Sequence, residues 1–212
     1  MPIDHNTVRR WIAFCSHDLR EAQPLLTQLD AAIGDADHGA NMTRGFAGAQ
    51  THLETLELTR LSGDLLIEAG HALMTKTGGA PGPLWGVAFQ GIGKALGKTE
   101  NIDPLEFTDA LEHGLKAIID LGAAQAGEKT MVDAITPAID AMRVAALAKQ
   151  TLPEIMAAAR VAAEQGARNT TPMLARKGRA SYLGDRSIGH QDPGATSAAI
   201  IFAALEQAVQ AP

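Results

Sequence analysis

The residues that first suggest chemistry are Asp30, Asp35 and Asp37 in the stretch DAAIGDADHGANM, residues 30–42, where Gly34 and Gly39 allow the chain to bend. Three carboxylates crowded into one loop repel one another and raise each other's pKa unless positive charge sits among them. Carboxylate oxygens are the hard ligands that Mg²⁺ and Ca²⁺ prefer, so a divalent cation is the natural companion. The spacing i, i+5, i+7 does not lie on one face of a regular helix, so the three converge only where a helix end passes into a turned loop. The EF-hand pattern fails, because the glycine comes one position early and Phe46 stands where the closing Glu belongs. Mg²⁺ takes few protein carboxylates and completes its octahedron with water and phosphate, which suits this set better. The competing account is capping: Asp35 and Asp37 would cap the next helix and Asp30 would be solvated.

A second constellation is TKTGGAPGPLWG, residues 75–86, in which Gly78, Gly79 and Gly82 precede a helix expected from about Pro83. Bare backbone at a helix N-terminus is an anion site, although a chance glycine turn reads the same way. It is not a Walker A loop, and neither near miss elsewhere qualifies. Ile92 occupies the first-glycine position before Gly97-Lys98-Thr99, and Glu128 intrudes between Gly127 and Lys129. The third is RKGRASYLGDRSIGHQDPGATS, residues 176–197, where Arg176, Lys177, Arg179 and Arg186 lead to Asp192-Pro193-Gly194 at a helix start. Arginine contacts phosphate or stacks on a base, and Asp192 as N-cap with Pro193 at the first helical position would aim free N–H groups into the same pocket. Clustered carboxylates, glycine turns and a basic loop together point to a negative, metal-bridged ligand such as a nucleoside diphosphate or triphosphate. His38 and His190 are open between a ligand contact and a structural role. Trp11, Trp85 and the methionines read as packing.

The elements that must position these residues are helices. Val occurs only six times and aromatics make up 4% of the chain, while Ala-rich runs such as MAAARVAAEQGA favour helix. Apolar positions at three- and four-residue spacing predict a first helix through Val8, Trp11, Ile12, Cys15 and Leu19 to Leu29, kinked or broken near Pro24. Further helices are expected over about 42–56, 63–74, 83–96, 104–121, 131–148, 153–169 and 193–209, with a kink at Pro137. Eight helices joined by short loops predict an all-α antiparallel up-and-down bundle or barrel, its functional loops gathered at the ends. The 212 residues are enough for one domain over 1–212, and no linker-like stretch divides them. A net charge of −6 argues against nucleic acid and anionic membranes as partners. The lone Cys15 and the absence of a long apolar run predict a soluble protein of the reducing cytoplasm.

The stretches LDAAIGDADHGANMTRGF, GGAPGPLWG, GEKTMVDA and ARKGRASYLGDRSIGHQDPGATS cover, in this order, nearly the whole chain. In them the sequence resembles the DhaL-type ADP-binding L subunit of bacterial, phosphotransferase-system-dependent dihydroxyacetone kinase. The resemblance implies an eight-helix antiparallel barrel with the nucleotide in the loops at one end. It implies that Asp30, Asp35 and Asp37 hold two Mg²⁺ ions bridging the ADP phosphates, and that His38, Gly39, Ala40 and Asn41 contact the nucleotide. Ala80, Pro81, Gly122, Met131, Arg179, Asp192, Pro193 and Gly194 match the rest of that pocket, with Met131 against adenine and Arg179 near the transferring phosphoryl group. ADP would stay bound as a cofactor, become ATP by taking a phosphoryl group from a phosphohistidine carrier protein, and pass it to dihydroxyacetone on a separate K subunit. A transcription regulator and a second copy of the chain are further partners it leaves open.

Two departures stand out. Pro81 replaces the family's usual serine in Gly-Gly-Ala-Ser-Gly-Pro-Leu and removes both a hydroxyl and a backbone N–H. Glu128 replaces the Asp of Gly-Asp-Lys-Thr, keeping the charge on a longer side chain. Three rival readings stay open at this point: an ATP-dependent kinase for another short ketose such as a tetrulose, a non-catalytic regulatory module, and a metal phosphohydrolase. The last lacks an evident general base outside the aspartates.

Overall fold

Short polar side chains and prolines open the helices largely where the sequence places them. Asp4 accepts from the N–H of Thr7 at 2.8 Å, Asp103 from Leu105 at 2.8 Å ahead of Pro104, and Asp192 from Ala195 at 2.6 Å ahead of Pro193. The computed structural model describes residues 3–211. Its elements are α1 (His5–Glu21), α2 (Gln23–Ile33), α3 (His38–Glu54), α4 (Ser62–Lys76), α5 (Pro81–Leu96), α6 (Pro104–Gly122), α7 (Val132–Leu147), α8 (Leu152–Asn169), a 3₁₀ helix (Arg179–Ser187) and α9 (Pro193–Gln210). Among the described residues there is no strand, only an isolated antiparallel bridge between Ile3 and Ile102.

The expected helices are all present, with small differences in where they begin and end. The first is broken rather than kinked: α1 ends at Glu21 and α2 starts at Gln23, with Pro24 in its first turn. The start of α3 moves forward from about Met42 to His38, so the run His38-Gly39-Ala40-Asn41 forms a first helical turn and not a loop. The reason is a cap from outside the segment: the buried Asp30 carboxylate accepts the N–H groups of Asp37 and His38. Pro81 rather than Pro83 opens α5, and α7 continues as one helix through Pro137.

In contact order the helices form a closed ring, α1, α3, α4, α5, α6, α7, α8, α9 and back to α1, while α2 packs on α3 and α9. Neighbours joined by short loops run antiparallel, so the starts of α3, α5, α7 and α9 share one end with the 3₁₀ helix. That is the up-and-down barrel expected. Inside it Trp11 lies 5.1 Å from Phe89 between ring centroids, and Phe46 packs edge-on against Trp85 and Phe89. Such pairs are worth about 0.5–1.5 kcal/mol each beyond the area they bury. The Trp11 indole N–H is satisfied by the Ile201 carbonyl of α9 at 2.9 Å, which ties the first helix to the last across the closure of the ring.

Candidate functional site

Loops at the end where α3, α5, α7 and α9 begin surround one cleft of about 620 Å³. Asp30, at the end of α2, and Asp35 and Asp37, in the turn before α3, each offer an oxygen to a set whose members lie within 4.8 Å of one another. Asp35 and Asp37 are exposed, and Asp30 is buried. Neither Asp35 nor Asp37 caps α3 through its side chain. That job falls to Asp30, at 2.9 Å from the N–H of Asp37 and 3.1 Å from that of His38. The capping alternative is therefore overturned in its assignment, because the cap arrives from the preceding helix. The outer two carboxylates keep their lone pairs for a cation or for Arg179, whose Nη2 is 3.0 Å from Asp35 Oδ2.

His38 lies between this cluster and α9. Burial pushes its pKa down, against the opposing pull of Asp30 and Asp37. Its Nε2 is 3.0 Å from Ser197 Oγ, and that hydroxyl donates its proton to the Gly194 carbonyl at 3.0 Å. The network thus assigns the imidazole proton to Nε2.

The glycine turn forms a second wall. Gly79 sits at φ +62°, a left-handed conformation suited to glycine, so the chain can reverse between α4 and α5. Beneath it Asn41 is buried. Its Oδ1 accepts from Arg44 at 2.6 Å, but its Nδ2, 3.3 Å from where a Cβ on Gly79 would stand, has no hydrogen-bond partner. A buried donor left unpaired costs about 1–3 kcal/mol. Pro81 stands at the first position of α5, where the missing N–H breaks no intrahelical bond.

Across the cleft, Asp192 caps α9 from a buried position. Burial pushes its carboxyl up to about 7, partly offset by the Ala195 N–H and by Lys129, while Asp133 and Asp30 add to the rise. Pro193 and Gly194 form the first turn of α9 at the rim. Between α9 and α5 the wall is apolar, built from Leu84, Ile118, Leu121, Gly122 and Met131. Asp133 holds the Met131 loop by accepting from Thr130 N–H at 2.8 Å and from Gly127 N–H. Glu128 accepts from Gln125 N–H at 2.8 Å and does not line the cleft.

Asp30, Asp35, Asp37, His38, Ala80, Pro81, Gly122, Met131, Arg179, Asp192, Pro193 and Gly194 all line this single cleft. Gly39, Ala40 and Asn41 do not line it. Gly39 packs on α2, Ala40 is exposed, and Asn41 lies behind Gly79. Of the four cations in the basic loop only Lys177 and Arg179 reach the cleft, and the His190 side chain stays outside. Trp85, read as packing, both lines the cleft and joins the aromatic core. Lys129 and Thr130 line it too. No local signal in the sequence announces that Lys129 is buried.

A family model described as the DAK2 domain matches residues 32–207. The chain is 40% identical over 210 residues to the ADP-binding subunit DhaL of PEP-dependent dihydroxyacetone kinase 1 from Listeria innocua, covering 98% of each. It is 37% identical to the corresponding Escherichia coli DhaL, covering 99% of this chain and 100% of that one. An L-erythrulose 1-kinase from Mycolicibacterium smegmatis is 42% identical over 181 residues, which is 85% of this chain but 31% of that enzyme. Among solved structures, the C. freundii dihydroxyacetone kinase in complex with AMP-PNP and Mg²⁺ superposes with a TM-score of 0.74 at 28% identity, over 98% of this chain and 34% of that one. A barrel of helices whose acidic, glycine-rich and basic loops meet at one end, together with these full-length matches, places the chain in the DAK2-domain family, alongside the DhaL-type subunits of dihydroxyacetone kinase.

Proposed function

We propose that the chain is one nucleotide-binding domain that serves as the ADP-binding subunit of a PEP-dependent dihydroxyacetone kinase. On this reading it holds ADP with Mg²⁺ as a cofactor between a phosphohistidine on a carrier protein and dihydroxyacetone on a separate K subunit. The observation that carries it is the meeting of three carboxylates within 4.8 Å with the α9 N-terminus and an apolar wall in one cleft. Two relatives that it matches over nearly their whole length are named as such subunits.

Asp30, Asp35 and Asp37 are the residues that would hold a pair of Mg²⁺ ions, and their donor set suits that hard cation. When bound, the metal ions supply positive charge to the phosphates, and ADP supplies the site through which the phosphoryl group passes. The chain's own residues do the rest by position and charge. Arg179, held at Asp35, adds a cation beside the carboxylates. At the start of α9 the Gly194 N–H offers a donor to a phosphate oxygen, since Pro193 has none and Asp192 takes those of Ala195 and Thr196. Met131, Leu84 and Ile118 give an apolar surface for a flat base and keep water from it. No residue is asked to be a nucleophile, since phosphoryl transfer is dominated by alignment and charge stabilisation.

A second reading has a specific basis. The 42% identity to an L-erythrulose 1-kinase, with Pro81 in place of a hydroxyl and an N–H, favours an ATP-dependent kinase for a short ketose in which nucleotide exchanges every turnover. One experiment separates the two. The protein is purified in Mg²⁺, dialysed and denatured to identify released nucleotide, with a parallel sample given labelled ATP before dialysis. Stoichiometric ADP that resists exchange supports the cofactor role. Empty or freely exchanging sites overturn it in favour of the ATP-dependent kinase.

A further inference from the structure

Lys129 is a lysine with 1% of its surface exposed, although Gln125 to Gly127 just before it are exposed. Its backbone takes φ +63°, a left-handed conformation uncommon for a residue with a Cβ. The side chain turns inward and its ammonium donates to the carbonyls of Thr170 at 2.7 Å, Met173 at 3.3 Å and Thr171 at 3.4 Å, and to that of His190. An ammonium has three protons, so these four oxygens share them as they would share a bound cation. Burial pushes the lysine's pKa down, with Asp192 opposing the fall.

What the four carbonyls belong to matters more than their number. Thr170 follows the last residue of α8, and His190 stands two residues before Asp192. Between them runs the excursion that carries Lys177 and Arg179 into the cleft. One ammonium therefore pins both ends of that excursion. The same knot is tightened by Thr170 Oγ1, which accepts the Asp192 N–H at 2.9 Å, and by the Arg176 N–H, which donates to the Glu128 carbonyl at 3.1 Å. Lys129 is also two residues from Met131, so the apolar wall and the α9 cap are referred to a single point.

We infer that Lys129 is a positioning residue: its ammonium takes the place of a structural cation and holds the Arg179 excursion, the Asp192 cap and Met131 in register around the nucleotide. It makes no hydrogen bond to Asp30, Asp35 or Asp37 and reaches them only through the exposed pair of Arg179 with Asp35, so its influence falls mainly on the nucleotide half of the cleft. This rests on the nucleotide reading above, and its test separates the two.

The test compares wild type with Lys129→Met and Lys129→Gln. Three quantities are measured: affinity for a fluorescent ADP analogue in Mg²⁺, affinity for Mn²⁺ without nucleotide by electron paramagnetic resonance, and amide exchange across the chain. Loss of charge-assisted hydrogen bonds predicts a fall in nucleotide affinity of about tenfold or more for Lys129→Met. Mn²⁺ affinity should stay within about twofold, as expected when the one link to the carboxylates is an exposed ion pair. Exchange should quicken at residues 170–173 and 190–194 and stay slow at 30–41. Lys129→Gln, which keeps two N–H donors, should fall between the two and decides by the same split if Lys129→Met fails to fold. Unchanged nucleotide affinity overturns the inference. Parallel loss of nucleotide and Mn²⁺ affinity also overturns it, because that marks a general structural role. Wild type that binds no nucleotide overturns the functional reading and the inference with it.

Discussion

Arg179 Nη2 lies 3.0 Å from Asp35 Oδ2, joining the 3₁₀ segment after α8 to the carboxylate turn before α3. Both side chains are well exposed to solvent, so the pair itself adds only about 0–1 kcal/mol to stability. Its importance is positional. It shows that the basic excursion folds back over the acidic loop, so a phosphate held by one lies within reach of the other.

Asp35→Asn should abolish phosphotransfer to dihydroxyacetone in an assay with the K subunit and a phosphorylated carrier. Circular dichroism should be unchanged and stability should move by less than about 1 kcal/mol, since the removed charge is on the surface. Activity retained in the variant would overturn the assignment of this carboxylate to the metal.

Pro81→Ser restores a hydroxyl and an N–H at the first position of α5. The expected result is slower exchange of bound nucleotide, read by chasing labelled ADP with unlabelled. Because proline narrows the unfolded ensemble, the variant should lose about 0.4–1 kcal/mol of stability in urea denaturation. An exchange rate equal to wild type means that this turn does not hold phosphate.

Burial raises Asp192 from 3.8 to about 7, so between those values the folded chain keeps a proton that the unfolded chain has released. The folded state binds more protons in that window, and the contribution of this group to stability therefore falls as pH rises from about 4 to about 7, then levels off. Asparagine caps as well as aspartate but does not titrate. In metal-free buffer, Asp192→Asn should gain on wild type by about 1 kcal/mol or more across this range. A gap that stays constant with pH would show that the carboxyl is not raised.

Gly39→Ala tests how the acidic loop is held. A Cβ at this position would meet the Gln23 carbonyl at 2.5 Å and Thr27 Oγ1 at 2.6 Å, so α3 must move away from α2. Overpacking of this kind costs about 1–3 kcal/mol. Because Asp30 lies on α2 and caps α3, Mn²⁺ affinity should fall together with thermal stability, and unchanged Mn²⁺ binding would disconnect the helix pair from the metal set.

Much of the protein was legible from local patterns. Periodicity and helix-opening prolines located α4 to α9 to within a few residues, because those signals act over one or two turns. The Asp192-Pro193 start of α9 followed from its own chemistry. Boundaries governed by distant partners were not legible. The beginning of α3 depends on a carboxylate seven and eight positions upstream, and nothing inside the helix announces it. The 3₁₀ helix over Arg179–Ser187, with no apolar periodicity, read only as a loop.

The types and spacing of Asp30, Asp35 and Asp37, the glycine turn and the basic run pointed to a negative, metal-bridged ligand, and the Ala-rich, valine-poor composition specified helices to carry them. The tertiary structure decided which of these residues meet. His38 reaches Ser197 across 159 positions, and Lys129 gathers carbonyls from Thr170 to His190, because closing α9 onto α1 brings remote loops to one end of the barrel. Burial is likewise a property of the closed ring: it takes Lys129 and Asp192 out of water and shifts the pKa of each toward its neutral form. A local stretch of sequence carries no record of that surrounding.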